Sequence, residues 1–267
     1  MRDKMGLIKI WIAFTVFMIF FVANFKISTN IGYTARMWLI LDVCVLILSI
    51  IMLIKNRLPN KKQMLISFTL ALLMFVAYQG ISFSSVKTFL ITFLCSLATF
   101  SIFSKYENNA VKILKMTTAK SIGITITVGL GLGTLLGIIN FFLNEGVPKL
   151  NVSPSCFLTA LSPAIYEEIS LRAFIYAVCL YFLKGEINTK SKNFACYFMM
   201  VIPHVMIHTP QQFINSGLIS GVMSVLVLAV LFGLPFAILQ RKRDLTSAMI
   251  AHGVVDVIRF CFFGLPH

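Results

Sequence analysis

The chain has 267 residues, of which 58% are hydrophobic and 12% charged, with 25 Phe, a mean hydropathy of +0.91 and a net charge of +14. Soluble domains carry about a quarter charged residues, so a water-soluble globular class is excluded. A basic nucleic-acid surface needs polar residues between its charges, and their scarcity here leaves no nucleic-acid partner expected.

Apolar runs of about 17–25 residues, each long enough to cross roughly 30 Å of hydrocarbon, recur along the chain. The first, Met5 to about Asn24, follows Arg2 and Lys4. It is long for a cleaved signal peptide and further spans follow, so it reads as a retained helix. Hydropathy predicts nine spans, near 5–24, 37–54, 64–83, 88–104, 121–143, 157–183, 193–208, 215–239 and 245–263. The expected fold is an all-α, polytopic transmembrane bundle of eight or nine spans.

Lys and Arg divide unevenly between alternate connections. The N-terminal end and the connections near 55–62, 105–120, 184–192 and 241–243 hold 17, whereas the opposite set holds only Lys26, Arg36, Lys87 and Lys149. Basic residues favour the cytoplasmic side, which predicts a multi-pass cell-membrane protein with a cytoplasmic N-terminus. It also explains the net charge, together with contacts to anionic headgroups.

The six cysteines show no metal spacing. Five read as small hydrophobes in spans, and Cys156 as a free thiol near the outer boundary. In the first five spans Asp42 is the conspicuous acid, and the sequence does not reveal its partner. Gly129, Gly133 and Gly137 make a small-residue stripe suited to close helix approach. Gly129-Leu-Gly-Leu-Gly is the weaker match to a nucleotide loop, because no strand precedes it.

The polar inventory changes after residue 153, dividing the chain into N-terminal helices (1–153) and a C-terminal core (154–267). Glu167, Glu168, Arg172, His204, His208, His252, Asp256 and Arg259 all lie in or at the edge of spans. A charge at mid-bilayer costs about 2.5–3.5 kcal/mol on insertion scales, so such clusters mark paths, relays or active sites. Glu168 and Arg172 share a helix face in the favourable acid-first order, and Glu167 is rotated by roughly 100°. His252–Asp256 and His204–His208 repeat the four-residue spacing. Arg259 falls two turns after His252, where it competes for Asp256, and His267 reads as an exposed tail without a role. A carboxylate that takes a proton from water, with imidazoles that polarise a carbonyl or bind a metal, supplies what peptide hydrolysis needs. Each element also has a structural reading: an ion pair for Glu168–Arg172, a packing residue for His204.

Glu167-Glu168-Ile-Ser-Leu-Arg172 resembles the EExxxR motif, and His252-Gly-Val-Val-Asp256 the HxxxN/D motif, of the CPBP (CAAX-protease and bacteriocin-processing, ABI) intramembrane proteases. The intervening FxxxH motif is not matched, since His204 stands at the Phe position before His208, and Met200 before His204. His208 is aligned with the family histidine because His208-Thr-Pro210 is similar to an H-x-P often found there; His204 is the alternative. The resemblance implies a helical membrane fold with endopeptidase activity. It implies Glu167 as the base for water, Glu168 assisting or held by Arg172, His208 holding water or metal, His252 stabilising the oxyanion and Asp256 orienting it. Family chemistry is described both with a metal such as zinc, for which Glu168, His208 and His252 are the candidates, and without one. No HExxH motif is present. The expected substrate is a membrane-associated peptide or protein, of leader, pheromone or bacteriocin type. Depth agrees for Glu168, roughly 16 Å into its span at 1.5 Å per residue, and for His252, but places His208 too near the outer surface. The competing readings are a non-catalytic membrane protein conferring bacteriocin-type immunity by binding, and an ion-coupled carrier. A carrier would show a repeat between its halves, and none is visible.

Overall fold

In a computed structural model the described residues are 2–144 and 146–265, with side chains described from Lys4 onward. The expectation for His267, and the Arg2 side chain counted above, lie outside them. Among the described residues the chain is all helical. α1 spans Arg2–Asn24, α2 Tyr33–Lys55, α3 Lys61–Ala77, α4 Phe83–Lys105 and α5 Ala119–Leu143. α6 (Pro154–Ser162) runs through a π-helical segment, Pro163–Ala173, into α7 (Phe174–Phe182). α8 (Lys190–Met206), α9 (Pro210–Asn215) and α10 (Gly217–Leu228) follow, and a π-helical turn, Ala229–Gly233, leads into α11 (Leu234–Lys242) and then α12 (Leu245–Phe263).

Six of these helices are long and apolar enough to cross a membrane: Lys4–Asn24, Tyr33–Lys55, Phe83–Lys105, Ala119–Leu143, Gly217–Lys242 and Leu245–Phe263. The chain is a multi-pass membrane protein. The other three expected spans also coincide with helices, and differ for local reasons. α3 and α8 have 17 residues each. α3 stops short of its expected end because Gln79 and Gly80 turn the chain at φ +55° and +151°. The 154–182 stretch carries Glu167, Glu168 and Arg172 in its middle.

The two π-helical segments sit beside prolines. Pro163 and Pro235 lack the N–H that an α-helix needs, and their rings crowd the carbonyl four residues earlier, so the local bonding widens. Such segments are frequent at functional sites.

The glycine stripe is a packing surface. A Cβ on Gly129 would lie 2.9 Å from Ile250 and from the Ser247 carbonyl, one on Gly133 would lie 2.6 Å from the Ala251 carbonyl, and one on Gly137 would overlap Ile258. All of these neighbours belong to α12, so α5 lies directly against the helix that carries His252. At the far end of α12 Asp244 caps the helix, accepting from Ser247 N at 2.8 Å, and also accepts from Thr125 at 2.6 Å. One apolar core joins α1, α2 and α4 to α7 and α8. Cys156 points its thiol at the Asn151 carbonyl, 3.5 Å away, in a buried cluster with Cys261.

Candidate active site

The π-helical segment enters the core between α4 and α12, with α8 alongside and Gln240 of α11 bonded to it. Its two adjacent acids therefore turn towards different helices. Glu167 faces α8, and its Oε2 lies 2.7 Å from His204 Nε2, 3.9 Å from His208 Nε2 and 3.8 Å from His252 Nε2. Glu168 faces α11 and α12: Oε1 meets His252 Nδ1 at 2.7 Å and Oε2 accepts from Gln240 Nε2 at 2.6 Å. Gln240 also donates to the Glu168 carbonyl at 2.9 Å. Arg172 pairs with Glu168 Oε1 and reaches back to His204, with Nη2 2.9 Å from Nδ1.

Burial separates the two acids. The Glu168 side chain is fully enclosed and both its oxygens are engaged, whereas Glu167 keeps 13% exposure and its Oε1 makes no hydrogen bond among the described residues. His204 is buried on α8; His208, in the turn after it, is 42% exposed and meets the Trp38 ring edge-on at 5.0 Å. His252 is stacked on Phe236, centroids 4.8 Å apart and planes 17° apart. Asp256 Oδ2 lies 3.4 Å from His252 Nε2 and has no hydrogen-bond partner among the described residues.

Of the ionisable residues singled out after residue 153 and lying in spans, all converge except Arg259, which is exposed and stands over the Phe260 ring at 5.9 Å. Glu168, rather than Asp256, is the closer carboxylate to His252, and the buried histidine on Glu167 is His204. Three contributors are not marked in the sequence: Gln240, Phe236 and Trp38.

Glu167, His204 and His208 present ligand atoms within 4.8 Å of one another, a carboxylate and two imidazoles of the kind that hold catalytic zinc. The contact between Arg172 and His204 tests that fit. Arginine only donates and stays charged, so His204 Nδ1 accepts, and a neutral ring carries its proton on Nε2, towards Glu167. That nitrogen cannot ligate a metal while Arg172 holds the other. The three do not fit as a ligand set, and Glu168, with both oxygens engaged, is no better placed.

None of the curated proteins and none of the solved structures compared matches the chain. A protein-family model does: type II CAAX prenyl endopeptidase Rce1-like, over residues 149–258. The match contains every residue of the cluster on the π-helical segment, α8, α11 and α12, and leaves out α1–α5. It supports an intramembrane protease of the CAAX-protease type. The C-terminal part of the chain accordingly matches the Rce1-like CAAX endopeptidase family, in agreement with the resemblance carried by its two motifs.

Proposed function

We propose that the chain is an intramembrane endopeptidase in which Glu167 activates water against a peptide bond of a membrane-associated peptide or protein. The observation that carries this reading is the convergence of three imidazole Nε2 atoms on one oxygen of Glu167, at 2.7, 3.8 and 3.9 Å. The His204 N–H occupies Oε2 and leaves Oε1 as the base. Water gives its proton to Oε1 as its oxygen bonds to the carbonyl carbon. The C–N bond then breaks, and Glu167 returns the proton to the leaving amine.

His252 receives the oxyanion through Nε2. Its Nδ1 meets Glu168 at 2.7 Å, while Nε2, 3.4 Å from Asp256 and 3.8 Å from Glu167, keeps its proton for the oxyanion, with both carboxylates near enough to favour an imidazolium. Glu168, clamped by Arg172 and Gln240, is then the group that orients His252. His208 lines the open side with Trp38. No step requires a metal.

A cavity of about 380 Å³ between α1, α2, α7 and α8 is lined by apolar side chains including Phe17, Ile40, Cys44, Phe182 and Pro203, the last adjacent to His204. It suits a substrate with a hydrocarbon-rich segment, and leader, pheromone or bacteriocin-type peptides meet that requirement. The distribution of Lys and Arg supports a cytoplasmic N-terminus.

The test compares peptide termini, by mass spectrometry, in membranes carrying the intact protein or Glu167→Gln at equal amounts. Termini that vanish with the single carboxylate support proteolysis and name the substrate. Identical profiles, with any host phenotype retained, overturn it in favour of a binding role.

A further inference from the structure

Asp42 on α2 is 2% exposed, and both its oxygens are engaged. Oδ2 pairs with Lys87 Nζ of α4, and Oδ1 accepts from the hydroxyl of Tyr166. Tyr166 is itself buried, at 4% exposure, and immediately precedes Glu167. One turn earlier on the same face of α2, the Trp38 ring lies 5.0 Å from that of His208, and 6.4 Å from those of His204 and Tyr166.

Helix packing does not explain the acid. α2 and α4 are already joined by apolar residues such as Val45, Ile91 and Cys95. Asp42 is buried while the Lys87 side chain keeps 30% exposure, so the pair still leaves a carboxylate desolvated inside a span, where a charge is costly. The position of the pair points elsewhere. It holds the hydroxyl of the residue next to the base, on a segment whose π-helical bonding is looser than an α-helix.

We propose that Asp42 is a positioning residue for Glu167: through the Tyr166 hydroxyl, and charge-balanced by Lys87, it fixes the turn that presents Glu167 to His204. The proposal rests on Glu167 being the water-activating base. It also gives the N-terminal helices a part in the site, since Trp38, Asp42 and Lys87 all lie outside the family match.

Two double variants separate the hydrogen bond from the charge. Asp42→Asn with Lys87→Met is neutral and keeps an oxygen for Tyr166; Asp42→Leu with Lys87→Met is neutral and does not. Each is compared at equal amounts of folded protein for protein-dependent termini and for the rate at which a membrane-soluble carbodiimide modifies Glu167, read by mass spectrometry. The Leu variant is expected to lose termini about tenfold, the scale of one buried hydrogen bond. Glu167 modification is expected to change at least about threefold on the same basis. The Asn variant stays close to the intact protein in both readouts, and Tyr166→Phe behaves like the Leu variant and adds nothing to it.

Equal modification of Glu167 in the Leu and Asn variants overturns the proposal. If no termini depend on Glu167, the protease reading fails, yet the modification rates still decide whether Asp42 positions that residue. Should the Leu variant fail to accumulate, Tyr166→Phe, which removes one hydroxyl, carries the same comparison.

Discussion

Arg172 donates from Nη2 to Nδ1 of His204 across 2.9 Å, and this contact determines which nitrogen of His204 carries the proton. With Nδ1 occupied, the Nε2 proton faces Glu167 at 2.7 Å. The same guanidinium pairs with Glu168, whose Oε1 lies 2.7 Å from His252 Nδ1. One side chain thereby touches both halves of the candidate site.

Lysine at position 172 keeps the charge but loses the planar fork. Arg172→Lys is expected to retain the fold and to lower the yield of protein-dependent termini about tenfold or more, as one ammonium cannot serve Glu168 and His204 in the same geometry. Activity within about twofold of the intact protein would contradict the role given to the fork.

The two histidines of α8 and its following turn separate by burial and distance. His204→Ala is expected to cost about a hundredfold or more, in the range for a group aligned with a general base. His208→Ala, at the exposed rim, is expected to cost less than about tenfold. Measuring both at matched protein levels checks the assignment, and the reverse order would transfer the role to His208.

Removing metal is expected to leave activity unchanged. A membrane-permeant chelator such as phenanthroline, followed by washing, should not alter the yield of termini, because His204 Nε2 is committed to a proton. Loss of activity that zinc restores would show that Arg172 releases His204 to a metal.

The contact between α5 and α12 predicts a sharp contrast among glycines. A Cβ on Gly133 would meet the Ala251 backbone at 2.6 Å, whereas one on Gly131 would meet nothing within 4 Å among the described residues. Gly133→Ala is expected to destabilise by about 1–3 kcal/mol, as overpacking does. Gly131→Ala is expected to be neutral or stabilising by up to about 1 kcal/mol, from helix propensity. Thermal unfolding in detergent compares them directly.

Much of the site is legible in the sequence because an ionisable residue in an apolar run stands out. Glu167, Glu168, Arg172, His252 and Asp256 are found in this way, and four-residue spacing links Glu168 to Arg172. Gln240 escapes notice because it opens the Gln-Arg-Lys-Arg run that reads as a membrane boundary. Trp38 and Tyr166 look like ordinary span aromatics. Asp42 is conspicuous, but its partners lie 45 and 124 residues away, and no local pattern encodes such distances. The depth argument leaves His204 and His208 open because they differ by a single turn. The packing of α8 against the π-helical segment sets His204 2.7 Å from Glu167 and His208 3.9 Å from it. The π-helical bonding itself has only Pro163 as a sequence signal, and a proline can equally kink or end a helix.

The central claim is that Glu167 hands the peptide bond a water rather than attacking it. A single turnover in heavy-oxygen water, using the reconstituted protein and a substrate identified from its termini, tests this most directly. The account predicts one heavy oxygen in the new C-terminal carboxylate, an unlabelled Glu167, and no product from Glu167→Gln. Heavy oxygen in Glu167, with an unlabelled product from the first turnover, would instead make Glu167 the nucleophile and contradict the account.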